Sequence, residues 1–294
     1  LRFESDHNSF ETAAEPGYAG ITQRWAEWKD EHGRLRVGNF YTLLGRGLIH
    51  RSFALPGVIL DQQAFPSRYA PTRDLDGVLA EGTLGPFGGR LFAGQPNSGE
   101  FSLAAEKNQS FERHQGLLSG GQATVRFPAD SRVGAAYARY STSDARQEEY
   151  ASGFAEVDPL AVAGVRSVQL PLYFEYARKN SSWSKWWSFD TGARDTAALY
   201  AGSNLLWGPV AFSAEWKSYR DFRLGFNDPP SLVREQSFRL LNRNTHVLIA
   251  ERERGFQLEG SYTIPAWGSL TANLSRSDGY NALPVRYEER YAEL

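Results

Sequence analysis

The residues best suited to bind a charged ligand lie close together in the first fifth of the chain. They are Arg34, Arg36, Arg46, His50 and Arg51. Guanidinium groups bind carboxylates and phosphates strongly, and rings of charged side chains set ion preference where they line a pore. Two interpretations follow: a basic ladder on the wall of a channel, or solvated charges that are balanced by neighbouring carboxylates.

A phosphate-binding loop is a more specific possibility for the same stretch, because Gly45 and Gly47 flank Arg46. Such loops continue with a further spaced glycine or with Lys-Ser/Thr, and neither follows here. We therefore interpret the two glycines as a place of close strand packing or a bulge.

The segment from Leu55 to Asp76 is long and rich in proline, and it ends on Asp74 and Asp76. Loops longer than about 15 residues are usually functional or disordered. One hypothesis is that this segment folds into a channel and restricts it, with Arg46, His50, Arg51, Asp74 and Asp76 at the constriction. The alternative is an outward surface loop. A calcium loop of the EF-hand type would need a later glutamate that is missing.

Three tryptophans, Trp183, Trp186 and Trp187, fall within five residues. Aromatic side chains mark the water–lipid interface of membrane proteins, and they also form platforms that bind sugars. We favour an aromatic belt or a packed loop over a sugar site.

Nothing else in the sequence points to catalysis or to a bound metal. The five histidines are scattered, the chain has no cysteine, and neither a nucleophile elbow nor a His-Glu-x-x-His motif occurs. We predict a protein that is not an enzyme and that has no cofactor.

The elements that must position these residues are strands, because apolar and polar residues alternate along many segments. Successive side chains of a strand point to opposite faces of the sheet. Between Val210 and Lys217 the even positions are apolar, and the odd ones include Ser213, Glu215 and Lys217. Similar alternation occurs at 168–179 and 256–264. Such a sheet has one apolar face, which meets either a protein core or a lipid bilayer.

Composition favours the bilayer. Mean hydropathy is low, at -0.48, yet aromatic residues make up 14% of the chain. A transmembrane barrel combines these properties, because half of each strand faces a polar lumen while aromatic girdles mark the interfaces. No apolar run approaches the roughly 18 residues of a membrane helix. The formal charge of -2 gives no electrostatic reason to expect nucleic acid as a partner.

Turn signals divide the chain into candidate strands of suitable length for a membrane barrel. Short turns, such as the one at 30–33, alternate with longer connections at 55–76, 179–195 and 224–244. This asymmetry is typical of outer-membrane barrels. We predict an all-β protein, an antiparallel up-and-down transmembrane β-barrel of roughly 14–16 strands, forming a single domain over 1–294.

Two stretches resemble known sequences. Val37-Gly38-Asn39-Phe40-Tyr41, with Gly45-Arg46-Gly47-Leu48-Ile49 and Arg51-Ser52, is similar to a signature of uncharacterised outer-membrane β-barrel proteins from Bacteroidota and related bacteria. Leu241–His246 and Gly255–Leu258 resemble a later hairpin of that family. Members are usually longer and begin with a signal peptide, so the resemblance implies that this chain is a fragment, incomplete at both ends.

The resemblance implies a location in the bacterial outer membrane, with lipid and other envelope proteins as partners. The role it implies is passive solute passage or envelope scaffolding, and the sequence leaves both open. A rival of another class is a soluble all-β protein that binds or processes carbohydrate. Its apolar face would be buried in a protein core, and it would not need detergent for extraction.

Overall fold

The structure is a computed structural model. It describes residues 2–6, 18–52, 59–62, 65–68, 74–101, 111–113, 116–142, 147–180, 196–222, 252–280 and 284–294. All the structural statements below concern these ranges.

The first eleven strands lie in the N-terminal two fifths of the chain. They are β1 (Arg2–Asp6), β2 (Tyr18–Gln23), β3 (Trp25–Lys29), β4 (Gly33–Phe40), β5 (Leu43–Leu44), β6 (His50–Arg51), β7 (Ile59–Gln62), β8 (Phe65–Arg68), β9 (Leu75–Leu84), β10 (Phe87–Phe101) and β11 (Phe111–Arg113). The remaining strands are β12 (Leu117–Arg126), β13 (Arg132–Ser141), β14 (Gln147–Val157), β15 (Val168–Gln169), β16 (Leu172–Asn180), β17 (Ala197–Trp207), β18 (Val210–Arg220), β19 (Arg252–Ile264), β20 (Gly268–Gly279) and β21 (Val285–Glu293).

Fifteen of the described strands form one sheet in which neighbours along the chain are neighbours in space. Its order is β21-β20-β19-β18-β17-β16-β14-β13-β12-β10-β9-β4-β3, with β11 beside β10 and β15 beside β17. Every strand pair within the described ranges is antiparallel, for example β17 with β18 from Ala197↔Arg220 to Trp207↔Val210. The predicted antiparallel up-and-down architecture is confirmed.

The connections alternate in length, as the sequence predicts. The strand pairs β3–β4, β9–β10, β12–β13, β17–β18 and β19–β20 are joined by tight turns at one end of the sheet. Residues with positive φ close several of these turns, among them Gly85, Gly208 and Ala266. The longer connections after β4, β16 and β18 lie at the opposite end, whereas the one between β14 and β16 lies at the same end as the tight turns. We call the two ends the turn end and the loop end.

A four-residue helix, α1 (Pro159–Val162), lies at the turn end between β14 and β15. Asp158 caps it, because its carboxylate accepts hydrogen bonds from the amides of Leu160 and Ala161. These backbone hydrogen bonds hold the pKa of Asp158 below its ordinary value. The described part of the chain contains no helix that is long and apolar enough to cross a membrane.

The same turn corrects one element of the sequence prediction. The alternation at 168–179 predicts a single strand, but the structure divides it into β15 and β16. Leu170 lies between them, in the turn, where its amide donates to the Asp158 carboxylate at 3.0 Å. The Asp158 carboxylate therefore caps α1 and also binds the backbone between β15 and β16. The strand is interrupted where Leu170 makes this contact.

The two faces of the sheet differ in the sense expected of a membrane barrel. On β18, Phe212 and Trp216 are 41% and 39% exposed, whereas Lys217 is only 3% exposed. On β16, Phe174 is 47% exposed and Glu175 is fully buried. The apolar parity therefore faces outward and the polar parity faces inward. A soluble protein shows the opposite arrangement.

Large aromatic residues surround the turn end on the outer face. Trp28, Phe87, Phe127, Trp207 and Trp267 are all at least half exposed. This is the position of an interfacial aromatic girdle in a membrane barrel. The girdle predicted at Trp183, Trp186 and Trp187 lies outside the described residues.

Candidate functional site in the barrel interior

The interior holds a segment of chain that the sequence analysis assigned to the wall. Residues Tyr41–Ser52, which we call the inner segment, leave the end of β4 and contact strands that lie three and six positions away from β4 in the sheet. The Gly45 amide donates to Gln122 on β12 at 2.7 Å, and the Arg46 amide donates to Glu175 on β16 at 2.9 Å. The interior is therefore bridged by backbone hydrogen bonds to two wall side chains.

These contacts require the sheet to curl around the inner segment. In the sheet order β16 lies six strands away from β4, which is about 29 Å in a flat sheet with the usual strand spacing. The six steps along the chain from Phe40 to Arg46 can span at most about 21 Å. A flat sheet could not make the contact, so the sheet curls around the segment.

Apolar side chains fill the space around the inner segment. Leu44, Leu48 and Ile49 are fully buried, as are Phe40 and Leu79 on the adjoining strands. This stretch has no helical or strand periodicity in the sequence. Many of the buried residues around it come from strands that are distant in the chain.

Two glycines allow the inner segment to turn in so small a space. Gly45 has φ +56°, and a Cβ there would lie 2.4 Å from Glu175 Oε1. Gly47 has φ +97°, and its amide donates to the Leu44 carbonyl at 2.8 Å. Both positions adopt the left-handed conformation that glycine tolerates best. The sequence interpretation of close packing agrees with this geometry.

Arg46 lies at the tip of the inner segment and faces the opposite wall. Its guanidinium carbon is 4.2 Å from the centre of the Tyr173 ring, and its Nη2 is 3.5 Å from Glu156 Oε1. The Tyr173 hydroxyl donates to Glu175 at 2.7 Å. About a third of the Arg46 side chain, 31%, stays exposed, so its charge can act on solutes in the interior.

The other two basic candidates of the inner segment differ in their surroundings. His50 is buried and stacks on Phe92, with ring centres 5.4 Å apart. Burial lowers the pKa of His50 to about 3, so the ring is neutral at physiological pH and adds no charge. Arg51 is partly buried and packs over the Cα of Gly47.

Arg34 and Arg36 lie on the inward face of the wall itself, in β4. The Arg36 Nε atom is 2.8 Å from Glu27, and Arg34 pairs with both Glu27 and Glu81. Arg90, which the sequence analysis did not single out, pairs with Glu81 and donates to the Leu43 carbonyl. Acidic and basic groups thus alternate across β3, β4, β9 and β10, and the wall arginine Arg90 also holds the inner segment.

Asp74 supports the base of the inner segment. It is buried, and its two carboxylate oxygens accept hydrogen bonds from the side-chain amides of Asn39 and Asn97. The carboxylate thus ties β4 and β10 together where β9 begins. Asp76 is partly buried and pairs in register with Asn39 and Gln95.

Of the constriction predicted at Leu55–Asp76, the structure describes residues 59–62, 65–68 and 74–76, and the other half lies outside the described ranges. The structure places Arg46, His50 and Arg51 together on the inner segment, and Asp74 at its base. Asp76 lies two residues farther along the chain, on β9, in register with Asn39, which donates to Asp74.

Lys217 and Glu253 form an inward ion pair that sequence reasoning missed. The Lys217 Nζ atom is 2.6 Å from Glu253 Oε1, and both side chains are at most 4% exposed. On β18 and β19 these residues share the polar parity of Ser213 and Gln257. The parity in the sequence predicts that both side chains face inward. Only the register between β18 and β19 shows that they lie next to each other.

Comparison with known proteins shows what this fold resembles. The sequence matches no family model and no curated protein. Similar solved structures include OccK9 (OpdG) of Pseudomonas aeruginosa, with 14% identity, TM-score 0.57 and coverage of 94% of this chain and 66% of that one. OccAB3 of Acinetobacter baumannii shows 10% identity and TM-score 0.55, with coverage of 94% and 66%. OpdK of P. aeruginosa with vanillate shows 11% identity and TM-score 0.53, with coverage of 94% and 68%.

At these identities the similarity concerns the fold. The chain has the all-β barrel fold of these proteins. OpdK, one of them, is an outer membrane protein. The coarser part of the sequence resemblance, to outer-membrane β-barrels, is therefore supported. The similar structures come from Pseudomonas and Acinetobacter, and they do not support the finer resemblance to a family from Bacteroidota.

Proposed function

We propose that this chain forms a passive channel for small polar solutes across a bacterial outer membrane. It would act without catalysis and without a cofactor. Its direct partners would be the lipids of that membrane, together with other envelope proteins. Nucleic acid would not be a partner.

The observation that carries this proposal is the reversal of the two faces. Large apolar residues such as Leu91, at 68% exposed, lie on the outside. Charged groups such as Glu175 and Lys217 lie on the inside. Lipid is the solvent that favours exposed apolar side chains, and a water-filled interior favours inward charges. A soluble carbohydrate-binding sandwich would bury its apolar face.

The inner segment is the element that would restrict passage. It enters the interior and is held by Arg90 and Gln122 on the adjacent strands β10 and β12, and by Glu175 on the more distant β16. Arg46 at its tip is partly exposed. Solutes would therefore pass a constriction that carries an accessible positive charge.

We propose small organic anions as the preferred solutes. Arg46, Arg34 and Arg90 each keep between 28% and 33% of their side chains exposed on the interior face. Guanidinium groups bind carboxylates well. The solved structure of OpdK contains vanillate, which is a carboxylate. The finer sequence resemblance, to proteins of Bacteroidota, remains a proposal that rests on the two sequence stretches alone.

The membrane location is tested by extraction and electrophoresis. We expect the protein to require detergent for extraction and to migrate differently on gels before and after boiling. A barrel closed by hydrogen bonds would offer no free edge strand at which unfolding can start, so it would resist the detergent of the gel until heated. Recovery of a monomeric protein from buffer alone would contradict the proposal and favour the soluble alternative.

The anion preference is tested by charge reversal on the inner segment. Arg46→Glu combined with Arg51→Glu should shift the ion selectivity of single channels toward cations. The shift should be larger at 0.01 M than at 1 M salt, because the Debye length falls from about 30 Å to about 3 Å. Reversal potentials in planar bilayers under a salt gradient would measure it.

A matched control reverses two charges on the outer face. Arg220→Glu with Arg254→Glu makes the same change in net charge but faces away from the interior, so selectivity should stay as in the unmodified channel. If the folded protein enters bilayers and passes no current, envelope scaffolding becomes the better assignment.

A further inference from the structure

The outer face of β18–β20 changes from apolar to charged between the turn end and the loop end. Toward the turn end its outward positions are apolar, including Phe212, Leu258 and Leu270. Phe212 and Leu270 are 41% and 45% exposed. Toward the loop end the same parity becomes charged. Moving toward the loop end, the outward residues become polar or charged beyond Trp216 on β18 and beyond Phe256 on β19.

Five arginines occupy outward positions near the loop end. On β18, β19 and β20 they share the parity of the apolar outward residues, and on β21 Arg286 pairs in register with Asp278, which has that parity on β20. We call them the arginine rim: Arg220, Arg252, Arg254, Arg276 and Arg286.

Among the described residues, the carboxylates beside the arginine rim are too few to balance it. Asp278 is shared, since it lies 2.8 Å from Arg286 Nε and 3.2 Å from Arg276 Nη2. Asp221 pairs with Arg252, whereas Glu288 pairs with Arg290, which lies outside the rim. Within the described ranges, two carboxylates thus pair with three of the five guanidinium groups of the rim.

Two members of the rim have no carboxylate partner within the described ranges. No described carboxylate oxygen lies within 4.0 Å of the guanidinium of Arg220 or Arg254. Arg254 instead lies 6.0 Å from the centre of the Tyr280 ring. Arg286, although paired, keeps 65% of its side chain exposed. The rim is therefore accessible and positively charged.

We propose that the arginine rim binds the phosphate groups of an anionic lipid in the outer leaflet of the membrane. This rests on the proposed membrane location, in which the loop end faces outside. The apolar positions below the rim would contact the acyl chains, and the guanidinium groups at headgroup level would bind the phosphates. Arginine forms bidentate, charge-assisted hydrogen bonds with phosphate, and the rim offers several such groups side by side.

The test measures lipid retention by the folded barrel in a nonionic detergent. The probes are diphosphorylated lipid A and the same lipid after removal of both phosphates, and native mass spectrometry counts the lipids retained. We expect the unmodified protein to retain the phosphorylated lipid at least roughly tenfold better than the dephosphorylated one. Four substitutions together, Arg220→Gln, Arg254→Gln, Arg276→Gln and Arg286→Gln, should abolish that preference.

Two controls separate phosphate recognition from damage to the fold. The corresponding four lysine substitutions should restore part of the preference, because lysine keeps the charge but not the bidentate geometry. Arg34→Gln with Arg36→Gln removes two inward charges and should leave lipid retention unchanged. Each variant is first checked for the heat-dependent gel shift, so that only folded barrels are compared.

Equal retention of the two lipids by the unmodified protein would overturn the lipid site, and so would an unchanged preference in the folded glutamine variant. Formation of dimers that exclude the lipid would overturn it in favour of a second copy of the chain. Failure of the unmodified protein to enter bilayers would instead contradict the proposed function. A barrel that conducts but shows no phosphate preference would contradict the lipid site alone.

Discussion

Replacing Phe212 with arginine is expected to destabilise the folded barrel by about 2–4 kcal/mol, the cost of a cationic side chain on the lipid face near the bilayer midplane. Phe212 is 41% exposed on the outer face, and its partners in register are Leu205 and Gly260. Leu258, which pairs with Ala214 and Leu274, lies in the same apolar band. Leu258→Arg should therefore have a similar effect. Reversible unfolding in lipid would measure both.

The matched control is Ser213→Arg, one residue away on the same strand. Ser213 faces the interior and pairs in register with Glu259, so a new guanidinium there would gain a carboxylate neighbour. We expect a change in stability well below that of Phe212→Arg, because substitutions on the lumen side mainly alter selectivity. Equal losses at 212 and 213 would mean that both faces are buried in protein, and the membrane assignment would fail.

Replacing Glu175 with alanine is expected to release the inner segment from the far wall. The carboxylate accepts from the Arg46 amide at 2.9 Å and from the Tyr173 hydroxyl at 2.7 Å. A hydrogen bond to a charged group contributes about 1.5–3 kcal/mol, so the undocked population should rise roughly 10- to 100-fold. In single-channel recordings this should appear as more frequent openings to a higher conductance.

Glu175→Gln is the matched control, since its side-chain carbonyl can still accept the Arg46 amide. We expect its recordings to stay close to those of the unmodified channel. Gly45→Val approaches the same contact from the other side: a Cβ at 45 would meet Glu175 Oε1 at 2.4 Å, and φ +56° disfavours a branched residue. It should reproduce the effect of Glu175→Ala. Unaltered openings in a folded Glu175→Ala barrel would show that the inner segment does not restrict current.

The sequence alone determined the class of the fold, because the alternation of apolar and polar residues is a local property of each strand. The pattern from Val210 to Lys217 predicts a strand with one apolar face, and the structure confirms it. Short turns such as Gly208-Pro209 predict the antiparallel order of neighbours for the same reason. These signals lie within a few residues of one another, so no long-range information is needed to read them.

The candidate site depended on contacts between residues far apart in the chain, and only the tertiary structure could decide it. Arg46 meets Glu175 across 129 positions, and nothing local to either residue indicates that they approach. The sequence likewise shows His50 as a basic residue, and burial against Phe92 makes it neutral. Parity places Lys217 on the inner face, but the register with β19 was required to pair it with Glu253. The residues of a strand determine which of its two faces is apolar. The curvature of the whole sheet determines which distant residues each face contacts.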